Sequence, residues 1–218
     1  MRLIRFILVF LSIISPVFAQ NEKAPIQEKQ VNYKDWTFKS IFDGKEIRLS
    51  DFIRNKKLVL IVYFAPWCPN WKHQAPITQR LYEKYKASGF DVIAVGEYDS
   101  VDAMRKNINE MKISFPVVYE SDSREAKQKT KHYEYRKQAG DTRNWGSPWN
   151  IFIEPSKIEP ESEILVRKTY VVNGELIEEE VENFIRQKLS SQNVSIDKKG
   201  KTTQIEVCDP NKIDSKKP

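Results

Sequence analysis

The stretch LVLIVYFAPWCPNWKHQAP, residues 58–76, decides the fold of this chain. Its first eight residues are apolar and rich in β-branched side chains. A continuous run of this kind favours a strand that is buried on both faces. Pro66 and Pro69 predict a turn after the strand, and a helix is predicted over residues 71–87. The segment therefore predicts a central strand that leads through a short turn into a helix.

Strands and helices alternate on the C-terminal side of this stretch. Strands are predicted at residues 91–98, 115–119, 149–153 and 164–172, and helices at residues 101–111, 121–131 and 176–189. On the N-terminal side, two short strands at residues 36–38 and 46–49 are predicted to form a hairpin. Strands that alternate with helices pack as an α/β fold. We therefore predict a central mixed β-sheet flanked by helices, with an N-terminal β-extension and a C-terminal tail.

The first nineteen residues have the layout of a secretory signal peptide. Arg2 and Arg5 form a basic start, residues 6–14 are an apolar run, and residues 17–19 provide a small-residue site before Gln20. The apolar run is too short to span a membrane. The mature chain is expected to be exported, periplasmic or extracellular, with no membrane span. The predicted organisation is a signal peptide at 1–19, a linker at 20–32, one domain at 33–189 and a polar C-terminal tail at 190–218.

Composition excludes several function classes. The net charge is +6, but acidic residues are interleaved with the basic ones, so no basic stripe indicates a nucleic-acid site. Two cysteines, Cys68 and Cys208, are too few for a scaffold held by disulfides. His73 is interpreted as a surface histidine. His132 has no acid or cysteine arranged beside it as ligands, so no metal site is predicted, and no cofactor is expected.

Cys68 stands where the predicted strand gives way to the predicted helix. Backbone N–H groups at a helix start favour an anion, so a thiol there gains thiolate character and becomes a better nucleophile. The alternative is a buried, inert cysteine that behaves as a small hydrophobe. Because Pro66 and Pro69 force an irregular turn at the surface, we interpret Cys68 as an accessible, reactive thiol.

Residues 64–72, FAPWCPNWK, resemble the active-site segment of thioredoxins, in which a strand ends in an aromatic-Ala-x-Trp-Cys-x-x-Cys-Lys pattern. Residues 75–76 and 81–85 are similar to the exported TlpA-like and AhpC/TSA redoxin branch of that superfamily. A second match lies far downstream, where Gly146-Ser147-Pro148 resembles the cis-proline loop that faces the active cysteine. The resemblance covers about residues 33–189.

This resemblance implies a thioredoxin-like fold, with Cys68 as the catalytic residue and a cis peptide bond between Ser147 and Pro148. Such bonds are a minority, about 5–6% of X-Pro bonds in folded proteins. The implied partners are protein thiols or disulfides, or an external thiol reductant. The active-site loop that the resemblance assigns comprises Trp67, Pro69, Asn70, Trp71 and Lys72.

The chain departs from the family where the chemistry is concerned. Trp71 stands at the position of the resolving cysteine, so the usual intramolecular dithiol cycle cannot run. Val62 replaces the buried acid that some thioredoxins place before the motif. Cys208 is the candidate resolving thiol, because it lies 19 residues beyond Leu189. A flexible linker of that length spans roughly 25 Å. The alternative is a free or intermolecular cysteine in the tail.

Three functions stay open from the sequence. The first is an exported thiol-disulfide oxidoreductase that acts through the single thiol of Cys68. The second is a protein-binding module that kept the fold and lost the catalytic cycle. The third is a thiol-dependent peroxidase with antioxidant activity. It is the weakest, because Ile61 and Ala65 occupy the positions of the proline and threonine of peroxiredoxins. The tryptophans expected around the loop, as a recognition surface or as its cover, are Trp67, Trp71, Trp145 and Trp149.

Overall fold

The computed structural model describes residues 22–158 and 163–191, in which helices cover both faces of a β-sheet. The strands are β1 (Lys23–Ala24), β2 (Gln27–Lys34), β3 (Thr37–Ser40), β4 (Glu46–Arg48), β5 (Leu58–Phe64), β6 (Phe90–Gly96), β7 (Val117–Tyr119), β8 (Trp149–Ile153), β9 (Ile164–Val172) and β10 (Glu175–Leu176). The helices are α1 (Leu49–Phe52), α2 (Pro69–Tyr85), α3 (Val101–Glu110), α4 (Lys131–Gln138) and α5 (Glu178–Ser191).

Eight strands form the central sheet, in the order β2-β9-β8-β5-β6-β7-β3-β4. The pairs β5–β6 and β6–β7 are parallel, and the other described pairs in this sheet are antiparallel. Parallel neighbours need crossover connections, which α2 and α3 supply. β1 and β10 form a separate parallel pair. The predicted α/β fold, with a central mixed sheet flanked by helices, is confirmed.

Strand β5 is fully buried, as its continuous apolar run predicts. Successive side chains of a strand point to opposite faces of the sheet. Leu60 and Val62 accordingly belong to a core that they share with α2, α3 and α5. Val59 and Ile61 belong to a second core, on the side of α1 and α4. Packing on both faces therefore holds the strand whose carboxyl end leads into the Cys68 turn.

The linker predicted at residues 20–32 is wrong over most of its length. Strands β1 and β2 occupy this region, and β2 pairs with β9 at the edge of the central sheet. An edge strand gains its backbone hydrogen bonds whatever its side chains are, so polar residues do not prevent pairing. Val31 and Tyr33 are fully buried on either side of half-buried Asn32. This alternation of apolar and polar residues is typical of a β-strand and contradicts a linker at these positions.

The helix predicted at residues 121–131 is misplaced. The structure has a short 3-10 turn at Arg124–Ala126, and α4 starts only at Lys131. The Thr130 hydroxyl caps α4 by accepting a backbone N–H. The Glu120 carboxylate accepts two further N–H groups of its first turn, at 2.5 and 3.1 Å. These caps come from the folded chain, so hydrophobic periodicity alone does not locate the start of the helix.

The other predicted strands and the hairpin β3–β4 are present, and α5 runs close to its predicted range. The predicted signal peptide, most of the predicted tail and Cys208 lie outside the described residues. None of the helices in residues 22–158 and 163–191 has the length and apolarity that a membrane crossing requires.

Candidate active site around Cys68

Helix α2 carries Cys68 at its N-cap. The Cys68 backbone is extended, with φ −75° and ψ 122°, and Pro69 is the first helical residue. Proline suits this position, because its fixed φ matches a helix and its missing N–H would have no partner there. The Lys72 N–H donates to the Cys68 carbonyl at 3.2 Å. The thiol thus lies at the start of a helix, as the sequence predicts.

The Cys68 side chain is buried, which corrects the prediction of an accessible thiol. Only 6% of the residue is exposed. The thiol donates to the Ser147 carbonyl oxygen, 3.1 Å from the sulfur. The turn at Pro66 and Pro69 is irregular as predicted, but a loop from elsewhere in the chain lies over it. The sulfur is therefore covered in this conformation, and the Ser147 carbonyl is its hydrogen-bond partner.

The covering loop contains a cis peptide bond between Ser147 and Pro148, as predicted. The Ser147 hydroxyl accepts the Ala65 N–H at 2.9 Å, which bonds the loop to the segment just before the turn. The Arg143 guanidinium donates to the Pro148 carbonyl at 2.9 Å and pairs with the Asp141 carboxylate at 2.7 Å. Side chains from within the loop thus stabilise its position over the sulfur.

Trp71 fills the position where the family carries a second thiol, and it is fully buried. Its ring packs on Phe64, with ring centroids 4.6 Å apart. The indole N–H donates to Asn107 Oδ1 at 2.9 Å, and the Asn107 amide donates to the Pro66 carbonyl at 3.2 Å. Trp71 therefore anchors the turn from below. Asn107, on α3, is a supporting residue that the sequence analysis missed.

Two of the four expected tryptophans flank the turn at the surface. Trp67 and Trp145 meet edge to face, with ring centroids 5.2 Å apart, and both are half-buried. The Trp67 indole donates to the Tyr98 carbonyl at 3.4 Å. The other two, Trp71 and Trp149, are fully buried and belong to the two different cores. The expected cluster of four is therefore reduced to the surface pair of Trp67 and Trp145.

His132 lies in a polar stretch of sequence, yet it is fully buried. Its Nε2 is 3.1 Å from the Gly146 carbonyl oxygen, and its Nδ1 is 2.8 Å from the Tyr98 hydroxyl. Because a carbonyl only accepts, Nε2 carries the proton and Nδ1 accepts from the hydroxyl. Burial lowers the pKa of His132 well below its ordinary value, which favours this neutral ring. His132 thus holds the residue before Ser147, a role that no sequence spacing indicates.

A buried acid follows β6, beside the start of the turn. Glu97 is fully buried, and its N–H donates to the Phe64 carbonyl at 2.8 Å. Among the described residues, no N–H or hydroxyl donates to its carboxylate oxygens, and the Glu120 carboxylate is close enough to pair with Glu97 when one of the two carries a proton. Burial, with the neighbouring Glu120 carboxylate, raises the pKa of Glu97 well above its ordinary value. Val62, at the position before the motif, is not an acid. The buried acid of this chain is instead Glu97, which directly follows the neighbouring strand β6.

The remaining loop residues lie on the first turn of α2. Asn70 is buried, whereas Pro69 and Lys72 are exposed. His73 is exposed as predicted, and its Nδ1 lies 3.8 Å from the Glu175 carboxylate. In the described part of the chain, no group of three His, Cys, Asp or Glu side chains is placed to hold a metal ion.

One turn further along α2, Gln74 is fully buried and faces Asn150 of β8. The two side-chain amides exchange hydrogen bonds of 2.7 and 3.1 Å. Gln74 Oε1 also accepts the Leu176 N–H at 3.0 Å. This amide pair ties the helix that carries Cys68 to the sheet. The sequence analysis missed it, because neither residue belongs to a motif.

A model of the AhpC/TSA family matches residues 29–179. The thiol-disulfide oxidoreductase ResA of Bacillus anthracis is 29% identical over 100 residues, which cover 46% of this chain and 54% of that protein. ResA of Bacillus subtilis (strain 168) is 30% identical over 80 residues, 37% of this chain and 44% of that protein. The chain thus spans about half the length of the curated relatives it matches.

Solved structures show the same fold. A secreted thiol-disulfide isomerase from Corynebacterium glutamicum superposes with a TM-score of 0.54 at 18% identity, covering 72% of this chain and 85% of that one. A thiol:disulfide interchange protein of the thioredoxin family from Chlorobium tepidum TLS gives a TM-score of 0.52 at 16% identity, covering 74% and 97%. These similarities establish a thioredoxin-like fold.

Proposed function

Because this chain belongs to the AhpC/TSA family, we propose that it is an exported thiol-disulfide oxidoreductase that acts through the single thiol of Cys68. The observation that carries the proposal is the contact between Cys68 Sγ and the Ser147 carbonyl, 3.1 Å apart. It brings the N-cap of α2 and the cis-proline loop together at one sulfur. The named activity of the ResA relatives supports the same chemistry.

The proposed step is an exchange of sulfur partners. The Cys68 thiol loses its proton to solvent, and the thiolate attacks one sulfur of a substrate disulfide. A bond forms between Cys68 and that sulfur, the original S–S bond breaks, and the second substrate sulfur leaves as a thiolate that takes up a proton.

The Ser147 carbonyl and the substrate compete for the same place in this step. The carbonyl accepts from the thiol in the resting site, so it is released when the sulfur attacks. The Ser147 hydroxyl stays bonded to the Ala65 N–H at 2.9 Å, which holds the loop in position. A backbone held in this way offers an extended substrate strand a partner across the turn.

Release of the substrate needs a second thiol. Trp71 occupies the position that would supply it, and the described residues contain no cysteine other than Cys68. The reducing thiol is therefore an external molecule or Cys208 of the tail. In the first case the Cys68 adduct persists until a reductant is added, and in the second it converts to a Cys68–Cys208 disulfide.

The test is adduct formation by the reduced mature chain with oxidised glutathione, followed by intact mass and peptide mapping. We expect one glutathione on Cys68 in the matched variant Cys208→Ser, and in wild type either the same adduct or a Cys68–Cys208 disulfide. In Cys68→Ser, any label should map to Cys208 alone. A Cys208→Ser variant without an adduct, together with a wild type without a disulfide or an adduct at Cys68, would refute the proposal. The export part is tested by N-terminal sequencing of the secreted or periplasmic chain, which should begin at Gln20.

A second function, a binding module without turnover, is favoured by the burial of Trp71, which is a permanent part of the core. It differs from the oxidoreductase in catalysis. An oxidoreductase consumes many equivalents of disulfide when a thiol reductant is present, whereas a binding module captures at most one partner for each Cys68. Multiple-turnover kinetics of wild type against Cys68→Ser separates the two.

The peroxidase alternative is tested separately. Ile61 and Ala65 leave no hydroxyl at the peroxide-binding position, and the Ala65 N–H is already bonded to Ser147. We therefore expect no rapid sulfenic acid formation at Cys68 under excess hydrogen peroxide. Its rapid appearance would favour the peroxidase over the exchange reaction.

A further inference from the structure

The surface beside Cys68 combines two indoles with two cations. The Arg124 guanidinium lies over the Trp67 ring, 4.8 Å from its centroid, and the Lys127 ammonium lies 4.4 Å from the centroid of Trp145. The two rings meet edge to face. Trp67 directly precedes Cys68, and Trp145 directly precedes the Gly146-Ser147-Pro148 loop. We call these four residues the cationic indole patch.

Neither cation of this patch forms an ion pair with a carboxylate within 22–158 or 163–191, and Lys127 instead donates to the side chain of Asn144. Two exposed acids, Asp122 and Glu125, stand near them in sequence, and Glu125 accepts from the Ser123 hydroxyl without pairing with either cation. Arg124 is exposed and Lys127 is half-exposed. Both cations are therefore open to a carboxylate on a protein that approaches the sulfur from this side.

A shallow depression of about 180 Å³ also lies against Trp67, and its charged residues are two lysines and two acids. These are Lys72, Lys106, Asp99 and Glu110. Because these four charges balance, this depression offers no net preference for a substrate of either sign.

We propose that the cationic indole patch selects substrate proteins that carry acidic residues next to the reactive cysteine. This proposal rests on the exchange function proposed above. The indole faces would contact apolar atoms of the substrate, while the guanidinium and the ammonium pair with its carboxylates. Charge complementarity of this kind raises the rate of encounter more than the final affinity. It also weakens as salt shortens the Debye length to about 3 Å at 1 M.

The test uses three otherwise identical peptides in which a cysteine, held as a mixed disulfide with glutathione, is flanked by two Glu, two Gln or two Lys. The readout is the second-order rate of Cys68 adduct formation. We expect the Glu peptide to react faster than the Lys peptide by roughly tenfold, since exposed ion pairs are individually weak and two of them act together here. The ratio should approach one at 1 M salt.

A pair of double variants isolates the patch. Arg124→Gln with Lys127→Gln should remove the preference for Glu. The matched control, Lys23→Gln with Lys39→Gln, lowers the net charge equally at exposed positions on β1 and β3 and should keep the preference. Loss of the preference in both double variants would assign it to net charge and refute the patch.

Failure of the patch and failure of the exchange function are distinguishable. If all three peptides react with Cys68 at equal rates, the patch proposal is overturned and the exchange function stands. If none reacts, the exchange function is overturned. Binding of the same peptides with cysteine replaced by serine then decides the patch: tighter binding of the Glu peptide at low salt supports it, and equal binding overturns it.

Discussion

At the scale of single residues, Trp71 has the largest effect on what Cys68 can do. It is three residues from Cys68 at the start of α2, the spacing of a Cys-x-x-Cys pair. Its indole is packed on Phe64 and bonded to Asn107, so it cannot leave without a loss of stability. Position 71 therefore decides two things at once: it provides no thiol beside Cys68, and its indole packs the turn.

Trp71→Cys, made together with Cys208→Ser, should separate these two effects. Removing a buried tryptophan should lower the free energy of unfolding by about 3 kcal/mol or more. The new cysteine should form an internal disulfide with Cys68, measured by thiol titration with and without reductant. Trp71→Phe is the control, since it keeps a ring in the core without adding a thiol. Two titratable thiols after oxidation would contradict the expected pairing.

Glu97 should make stability fall as the pH rises. Its pKa is raised in the folded chain, mainly by burial, above an ordinary value of 4.5. Above that pH the folded state holds more protons than the unfolded state, so raising the pH favours unfolding. Glu97→Gln removes this proton exchange. We expect the variant to be more stable than wild type by about 1–3 kcal/mol at pH 8, because there the wild-type carboxyl must take up a proton on folding or stay buried as an anion.

The advantage of Glu97→Gln should shrink towards pH 5, as measured by urea unfolding at both values. Glu46→Gln, at an exposed position on β4, is the matched control for losing one carboxylate. If the difference in free energy of unfolding between Glu97→Gln and wild type were the same at pH 5 and pH 8, Glu97 would not take up a proton on folding.

His132 should have the opposite slope. Burial depresses its pKa below an ordinary value of 6.5, so the unfolded ring binds a proton in acid while the folded ring stays neutral. Lowering the pH from 7 to 5 therefore favours unfolding through this residue. His132→Gln keeps a donor and an acceptor and does not titrate, so its stability should fall less over that interval. His73→Gln, at an exposed site, serves as the comparison in the same unfolding series.

At the scale of elements, the sequence predicts best what depends on local patterns. The apolar run of β5 predicts a doubly buried strand, and α3 lies within the helix predicted at residues 101–111, with the Ser100 hydroxyl as its cap. Cys68 at the start of α2 and the cis bond at Pro148 follow from the two motifs. These features depend on neighbours in the chain or on a short pattern, so sequence reasoning reaches them.

What the sequence does not predict depends on contacts between distant segments. The burial of Cys68 requires the loop at Ser147, which lies 79 residues away. The start of α4 requires the Glu120 carboxylate, and the role of His132 requires Gly146 and Tyr98. Glu120, Tyr98 and His132 are marked by neither periodicity nor a motif. The Gly146-Ser147-Pro148 loop is marked by the family resemblance, which places it opposite Cys68 but does not indicate that the sulfur is buried beneath it. The candidate site and its facing loop were therefore located from sequence, but the burial of the sulfur and the supporting residues were not.

At the scale of the whole molecule, the domain begins earlier than residue 33. β2 pairs along its length with β9, and Val31 and Tyr33 are fully buried. The Tyr33 hydroxyl lies 2.8 Å from the Tyr63 hydroxyl of β5 and accepts the Trp36 indole N–H at 2.9 Å. An N-terminal segment that the sequence suggests is dispensable is thus part of the second core.

A mature chain shortened to start at residue 35 should consequently lose several kcal/mol of stability, since it removes the buried side chains of Val31 and Tyr33 and exposes one edge of β9. A chain that starts at residue 23 keeps β1 and β2 and is the control. Circular dichroism with urea titration measures the difference. Unfolding midpoints that coincide for the two chains would place β2 outside the cooperative unit.

Cys68 is only 6% exposed beneath the Ser147 carbonyl. The rate at which its thiol is alkylated should therefore report how fast the covering loop opens. A small alkylating reagent can react only while the loop is displaced, so raising its concentration should first speed the modification and then reach a plateau. The plateau is the opening rate itself, in the way that amide exchange reports local unfolding. Mass spectrometry of iodoacetamide-treated protein measures it. If the alkylation rate stays proportional to reagent concentration, the loop closes faster than the reagent can react with the exposed thiol.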